Sequence, residues 1–358
     1  MNIMQVIPVL DLAGAETMCQ NLALELKKQG HNVQVVSLYT KETTITKNLR
    51  DNGVDVIFLN KKSGLDIGCI LRLIKCMRGF SVEVVHSHIY ACKYAQIAAV
   101  INRVKSRIHT VHSIANKEAT IINQKIYRIL FKHLNVIPIA LSDEINQSIS
   151  DLYGIETTKI PIVYNGVPLK KCNPIGVYKT KSLKFVHVGR FMKVKNHENL
   201  VKAFIRARKD NPQIELELYG EGELKGYIEE IVRSAQAEDY IYFKGITDNI
   251  FKTMNSADVF ILPSFYEGMP MTLIEAMGTG LPIITTPVGG IVDMLEDGEN
   301  AVFTGTDVES IAHSINLIAS DSELRKTIGE AARKRSKDFS ATMMARRYLE
   351  VYERGLKG

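Results

Sequence analysis

Short, nearly continuous apolar runs alternate along this chain with longer segments in which apolar residues recur at helical spacing. In the first half the runs are NIMQVI (2–7), NVQVVSL (32–38), DVIFL (55–59), VEVVH (82–86), RIHTVH (107–112), NVIPIAL (135–141) and IPIVY (160–164). Their β-branched character, without polar alternation, predicts strands buried on both faces of a parallel sheet. Between them ETMCQNLALELKKQ (16–29) sets Met18, Leu22 and Leu26 on one stripe, with Gly30 as a C-terminal stop. Ser142, followed by Asp143 and Glu144, has the form of a helix N-cap with an acidic first turn.

The alternation pauses at NGVPLKKCNPIGVYKTKS (165–182), which lacks periodicity and reads as a linker. It resumes with LKFVHVG (183–189), IELELYG (214–220), YIYFKG (240–245), DVFILP (258–263), LPIITT (281–286) and AVFT (301–304). Thr306 with Glu309, and Ser320 with Glu323, have capping-box spacing for two late helices. ATMMARRYLEVYERGLKG (341–358) is a last amphipathic helix. The pattern predicts an α/β chain of two doubly wound, Rossmann-like domains. Residues 1–168 form the first, 169–182 the linker and 183–340 the second, and helix 341–358 is expected to pack back toward the first. Ligands bind such sheets at the carboxyl ends of the strands, so the expected site is a cleft between the domains.

The 358 residues suffice for two ordinary domains, and 46% hydrophobic with 23% charged residues is ordinary globular composition. No apolar run reaches the roughly 18 residues of a membrane span, and the first residues lack the form of a signal peptide. The five cysteines, at 19, 69, 76, 92 and 172, form no CxxC pair. They are expected to be reduced thiols of a cytoplasmic protein, without disulfide or zinc. Residues 1–168 hold 19 Lys and Arg against 13 Asp and Glu, whereas 169–358 hold 26 of each, so the whole excess of +6 lies in the first half. That asymmetry suits an anionic partner, or is plain variation in surface charge.

Two stretches carry the candidate chemistry. In SFYEGMPMTLIEAMGTGLPIITTPVGG (264–290), a loop holding Glu267 follows a strand, and Pro270 opens a helix that holds Glu275. The backbone of Gly268, Met269, Met271 and Thr272 around that N-terminus suits phosphate, with the equivalent of about +0.5 charge from the helix. Carboxylates beside phosphate are expected to take ligand hydroxyls instead. In VHVGRFMKVKNHENL (186–200), Arg190 and Lys195 follow a strand end and suit a diphosphate, and Asn196 is placed to cap the next helix.

VGRFMKVKN, YGEGE and DVFILPSFYEGMPMTLIEAMGTGLPIITTPVGG, in this order and spacing, resemble the retaining GT-B glycosyltransferases of family 4, whose E-x7-E signature matches Glu267 and Glu275. The resemblance implies two Rossmann-like domains facing across a cleft. It implies a nucleotide-sugar, by family frequency a UDP-sugar, as co-substrate with no further cofactor, and transfer with retention of configuration. Glu275 would hold the ribose and Glu267 the donor sugar. Arg190 and Lys195 would neutralise the diphosphate, and the Gly268–Thr272 backbone, Pro270 included, would bind sugar and phosphate. Gly220 and the segment Gly245, Ile246, Thr247 would lie near the nucleobase. In the first domain LDLAGAETM (10–18) resembles the glycine-rich loop near the donor phosphates, with Gly14 alone where the family often has two glycines. His112 matches the active-site histidine, and His88 would line the acceptor side. His86 and His109 are expected to be structural, only one histidine of each pair facing the cleft. Asn165 and Gly166 are expected to form a hinge-side turn. No Asp-x-Asp triplet occurs, and no metal site is expected.

The helices NQKIYRILFKHL (123–134) and CILRLIKCMRGF (69–80) are basic and amphipathic. They read as ordinary surface helices or as a peripheral contact with an anionic membrane at the inner face of the cell. The expected acceptor is a saccharide, soluble or polyprenyl-linked, in cell-surface polysaccharide assembly, and nucleic acid is not expected as a partner. A dinucleotide oxidoreductase fits poorly, because YGEGELKG misses the G-x-G-x-x-G spacing. A GT-B nucleotide-sugar epimerase and a non-catalytic nucleotide-sugar-binding protein remain as alternatives.

Overall fold

The apolar runs form two six-stranded parallel sheets in a computed structural model that describes residues 1–172, 182–247 and 249–357. Residues 173–181 of the expected linker lie outside the described residues; Leu169–Lys171 just before them is a short 3₁₀ turn. The chain divides into two units, Met1–Val167 with Ser340–Gly358, and Pro168–Phe339.

In the first unit β1 (Asn2–Ile7), β2 (Asn32–Ser37), β3 (Asp55–Phe58), β4 (Val84–His88), β5 (Ser106–Thr110) and β6 (Ile137–Ile139) run in the order β3-β2-β1-β4-β5-β6. In the second, β7 (Leu183–Val188), β8 (Ile214–Tyr219), β9 (Ile241–Gly245), β10 (Val259–Leu262), β11 (Ile283–Thr285) and β12 (Val302–Phe303) give β12-β11-β10-β7-β8-β9. Counted from its own first strand, the second sheet repeats the order of the first. Each reverses direction beside its first strand, between β1 and β4 and between β7 and β10, the position at which sheets of this kind bind ligands.

Several expected strands are shorter or shifted, and two of the differences have a clear local cause. Val82 is drawn into the stop of the preceding helix, its N–H bonding Met77 O beside a left-handed Ser81, so β4 begins at Val84 and ends at His88. IPIVY contributes a single bridge, Ala140 to Ile162, because Pro161 has no N–H to extend a ladder. The late helices are capped one residue beyond the expected positions, by Asp307 on Ser310 N and Asp321 on Leu324 N, both 2.9 Å. Ser142 caps its helix as expected, accepting from Ile145 N.

Helix Ala341–Lys357 belongs to the first unit. Ser340 bridges Val167, and Ala341 N bonds Val167 O at 2.8 Å. The helix then lays Tyr348 and Tyr352, both fully buried, against the sheet. Tyr348 Oη bonds Thr110 Oγ1 at 2.8 Å, and Ser106 Oγ donates to Tyr352 O at 3.0 Å. This regrouping sharpens the charge asymmetry. The first unit carries 23 Lys and Arg against 15 Asp and Glu, a net of +8, and the second 22 against 24, a net of −2.

Gly166 marks the crossing point. A β-carbon there would lie 2.6 Å from Ser340 O and 2.8 Å from Met344 Cβ, while Gly166 O accepts from Asn21 Nδ2. Gly166→Ala is expected to destabilise the protein by about 1–3 kcal/mol through overpacking. Gly226→Ala, entering open space in helix Lys225–Ser234, should instead stabilise it by about 0.5–1 kcal/mol. Denaturant titrations of both variants check the pair.

Candidate functional site

In the second unit the loops after β7 and β10 sit at the switch point. The β10 loop is fixed from three sides. Thr286 Oγ1 donates to Ser264 O at 2.6 Å, Phe265 N to Val194 O at 2.8 Å, and Gly290 N to Gly268 O at 3.0 Å. Within it Glu267 is buried and ionically paired, one carboxylate oxygen accepting from Lys195 Nζ and from Ser264 Oγ, each at 2.6 Å. Lys195 is therefore a cation bound to Glu267, which the sequence did not reveal. Arg190 is exposed and in no ion pair among the described residues. Asn196 occupies the N-cap position but does not cap with its side chain. It is left-handed, and its amide donates to Pro263 O (3.0 Å) and Thr306 O (2.8 Å), tying the β7 loop to the β10 loop.

Helix Met271–Thr279 begins one residue after the expected start. Pro270 is its N-cap with extended ψ and no side chain to offer, so the first-turn amides of Met271 and Thr272 receive no cap from it. Met269 and Met271 are both buried. One turn into the helix, Glu275 is 4% exposed, and burial pushes its carboxyl up to about 8.

Gly220 and Gly245 are dictated by the backbone. Gly220, at φ +143°, passes so close to the β7 loop that a β-carbon would lie 2.1 Å from Gly189 O, and its N–H bonds Gly245 O. Gly245 is left-handed at φ +68°. Ile246 next to it is largely exposed, and Thr247 Oγ1 bonds Thr253 Oγ1.

In the first unit the loop after β1 leads to helix Gly14–Lys28, capped at Ala13 without a side-chain bond. A β-carbon on Gly14 would meet nothing within 4 Å, so no internal contact requires glycine there. His88 ends β4, and His112 lies two residues beyond β5. They meet at 3.1 Å, His88 Nδ1 to His112 Nε2, while the other His88 nitrogen bonds Gln5 Oε1 at 3.1 Å. The expectation that His86 and His88 face opposite ways is wrong. Two residues apart on one strand, they share a face, their ring centres 4.2 Å apart. His86 itself is held by Tyr352 Oη and Thr110 Oγ1, each at 2.7 Å.

Glu118 is the participant that sequence reasoning missed. Its carboxylate accepts from the backbone N–H groups of His112 and Ser113 and from His109 Nε2 at 3.2 Å. Burial opposes charge on His109, but the Cys92 sulfur and Glu118 outweigh it and raise its pKa to about 10. His112 is lowered to about 4, burial outweighing the attraction of Glu118, and burial drives His88 well below its usual value. At neutral pH one cationic histidine thus anchors Glu118 in the protein interior, and a neutral histidine pair stands at the strand ends. Besides the histidines themselves, the polar Gln5 inside the apolar run NIMQVI is a sequence signal of this network; Glu118 sits in an unremarkable polar stretch.

No group of three metal-ligating side chains occurs among the described residues, and all five cysteines are free. No helix of the described residues is long and apolar enough to cross a membrane.

Comparison with known proteins agrees with this arrangement. The family profile described as glycosyltransferase family 4 matches residues 12–171, and that described as glycosyl transferases group 1 matches residues 174–335. A putative glycosyltransferase, EpsF of Bacillus subtilis, is 25% identical over 301 residues, covering 79% of this chain and 78% of that protein. The Escherichia coli UDP-Gal:alpha-D-GlcNAc-diphosphoundecaprenol alpha-1,3-galactosyltransferase is 25% identical over 318 residues, covering 81% of each. Among solved structures, Anabaena HepE in complex with UDP and glucose superposes with a TM-score of 0.85 at 18% identity, covering 99% of both chains. With one profile on each half and two six-stranded parallel sheets of the same winding, the chain is a GT-B glycosyltransferase of group 1 with a family 4 N-terminal domain.

Proposed function

We propose that this enzyme moves a hexose or N-acetylhexosamine from a UDP-sugar to a hydroxyl of a polyprenyl-linked saccharide, with retention of configuration and without a metal ion. The observation that carries this reading is the Ser264–Glu267–Lys195 cluster, set on the loop before a helix N-terminus that its own N-cap leaves open. The names of the galactosyltransferase and of the HepE complex support the choice of UDP-sugar and of a diphosphoundecaprenol-linked acceptor.

In this mechanism the diphosphate of the donor rests on the amides of Met271 and Thr272, with Arg190 as a forked cation and Lys195 as a point charge. Negative charge growing on the departing nucleotide is met by these fixed positive groups, which need no reorganisation as the bond breaks. The Glu267 oxygen opposite Lys195 and Ser264 accepts hydroxyls of the sugar, and Glu275 accepts those of the ribose. Gly14 lets a phosphate approach the helix behind it. His112 serves as a neutral hydrogen-bonding group toward the donor sugar, oriented by His88 and by the Glu118 carboxylate on its backbone. Retention follows from attack on the face the leaving group vacates.

Turnover of a labelled UDP-sugar tests the assignment. Glu267→Ala, Lys195→Ala and His112→Ala should each lower kcat by roughly 10²–10³ with the fold retained. Unchanged turnover in both Glu267→Ala and His112→Ala contradicts these roles.

Glu118→Gln should lower kcat as well, and combining it with His112→Ala should cost no more than His112→Ala alone, since Glu118 acts through that residue. Additive losses in the double variant would show that it acts elsewhere.

Glu275 gives a pH signature. The folded protein keeps this proton up to about pH 8, whereas an unfolded glutamate releases it near 4.5, so stability declines as pH rises through that interval. A carboxylate accepting two ribose hydroxyls must be ionised, so UDP affinity should rise toward pH 8, by at most about tenfold per unit, and level off above it. Glu275→Gln should flatten both profiles. Calorimetric titration of UDP between pH 6 and 9 measures the first and thermal melts the second.

A further inference from the structure

On one side of the first sheet, helices Ile67–Gly79, Cys92–Ile101 and Ile121–His133 pack side by side, with Cys92–Ile101 in the middle. Lys93 Nζ bonds Asn123 Oδ1, and Arg78 Nε bonds Asn102 Oδ1, so polar bonds run across both seams. None of the three helices contains an Asp or Glu, while together they carry Arg72, Lys75, Arg78, Lys93, Lys125, Arg128 and Lys132. Asp66, at the N-cap of the first, is already neutralised by Arg72 at 2.7 Å.

The outward faces are graded. Along the first helix Ile67 (66% exposed), Leu71 (64%), Lys75 and Arg78 follow one another at helical spacing. Along the third, Ile121 and Ile122 (both 73%) give way to Lys125, Arg128, Ile129 and Lys132. Leu65, 75% exposed, precedes the first helix. Both stripes are apolar at the helix N-terminus and basic toward the C-terminus. In a parallel βα unit the helix N-termini lie at the carboxyl edge of the sheet, where His88 and the Gly14 loop also lie. Five large aliphatic side chains thus stand mostly in water, flanked by cations.

We propose that this face docks on an anionic phospholipid bilayer, with Leu65, Ile67, Leu71, Ile121 and Ile122 entering the headgroup boundary and the lysines and arginines behind them meeting the lipid phosphates. The net charge of +8 on this unit, against −2 on the other, is the complement such a surface requires. The docking goes beyond the transfer reaction and holds whatever the donor and acceptor are, so its test involves no turnover.

The experiment is co-sedimentation of the full chain with vesicles of phosphatidylcholine alone or with phosphatidylglycerol added. The wild type should bind the anionic vesicles at least about tenfold more tightly than the neutral ones, and high salt should erase most of the difference. Ile121→Asp with Ile122→Asp should lower binding about tenfold or more, and so should Lys125→Glu with Lys132→Glu. Leu65→Asp, in a loop across the face, guards against a folding defect in the helix, and UDP binding and the melting temperature should be unchanged in all three. Equal binding to both vesicle types, or full binding by the variants, overturns the proposal. So does a wild-type dimer that the isoleucine variant dissociates, which would make this face a contact between copies of the chain.

Discussion

A single carboxylate oxygen organises the second unit. Glu267 holds Lys195 and Ser264 on the same atom, and the three residues come from the loops after β7 and β10. A buried ion pair offsets its desolvation only when the geometry is good and other donors are satisfied. The surrounding bonds from Thr286, Val194, Gly290 and Asn196 supply that rigidity. Glu267 stands four residues before the helix Met271–Thr279, and the bonds from Lys195 and Ser264 are both made by its Oε1. In the proposed reaction, the positive charge needed at a departing diphosphate and the acceptor needed by a sugar hydroxyl would be one bonded pair.

The first unit solves a different problem. Four histidines lie near the ends of two strands, and charging all of them would be prohibitive. The structure concentrates the charge in one place: His109 is cationic against Glu118, and His86, His88 and His112 are kept neutral by burial. The C-terminal helix joins the same network, Tyr352 bonding His86 and Tyr348 bonding Thr110.

The fold was legible because parallel strands buried on both faces write themselves as unbroken β-branched runs, as in NVQVVSL and DVFILP. The misreadings were local. Pro161 spoiled a strand by lacking a donor, and a left-handed Ser81 delayed another. Motif spacing pointed to Glu267, Glu275, Arg190 and Lys195, and the structure brings Glu267 and Lys195 into direct contact. What spacing could not convey was partnership across distance. Lys195 with Glu267, Glu118 with the amide of His112, and His86 with Tyr352 join residues whose separation carries no periodic signal. Strand alternation was also misapplied to His86, because residues two apart share a face.

Everything proposed for the second unit depends on its binding a nucleotide-sugar through the Lys195–Glu267 cluster. The decisive measurement is a screen of nucleotide-sugars for thermal stabilisation and for nucleoside diphosphate release. A UDP-sugar should raise the melting temperature and release UDP, and Lys195→Ala should lose both responses. Absence of stabilisation and release with every nucleotide-sugar, or a response undiminished in Lys195→Ala, would contradict that binding mode.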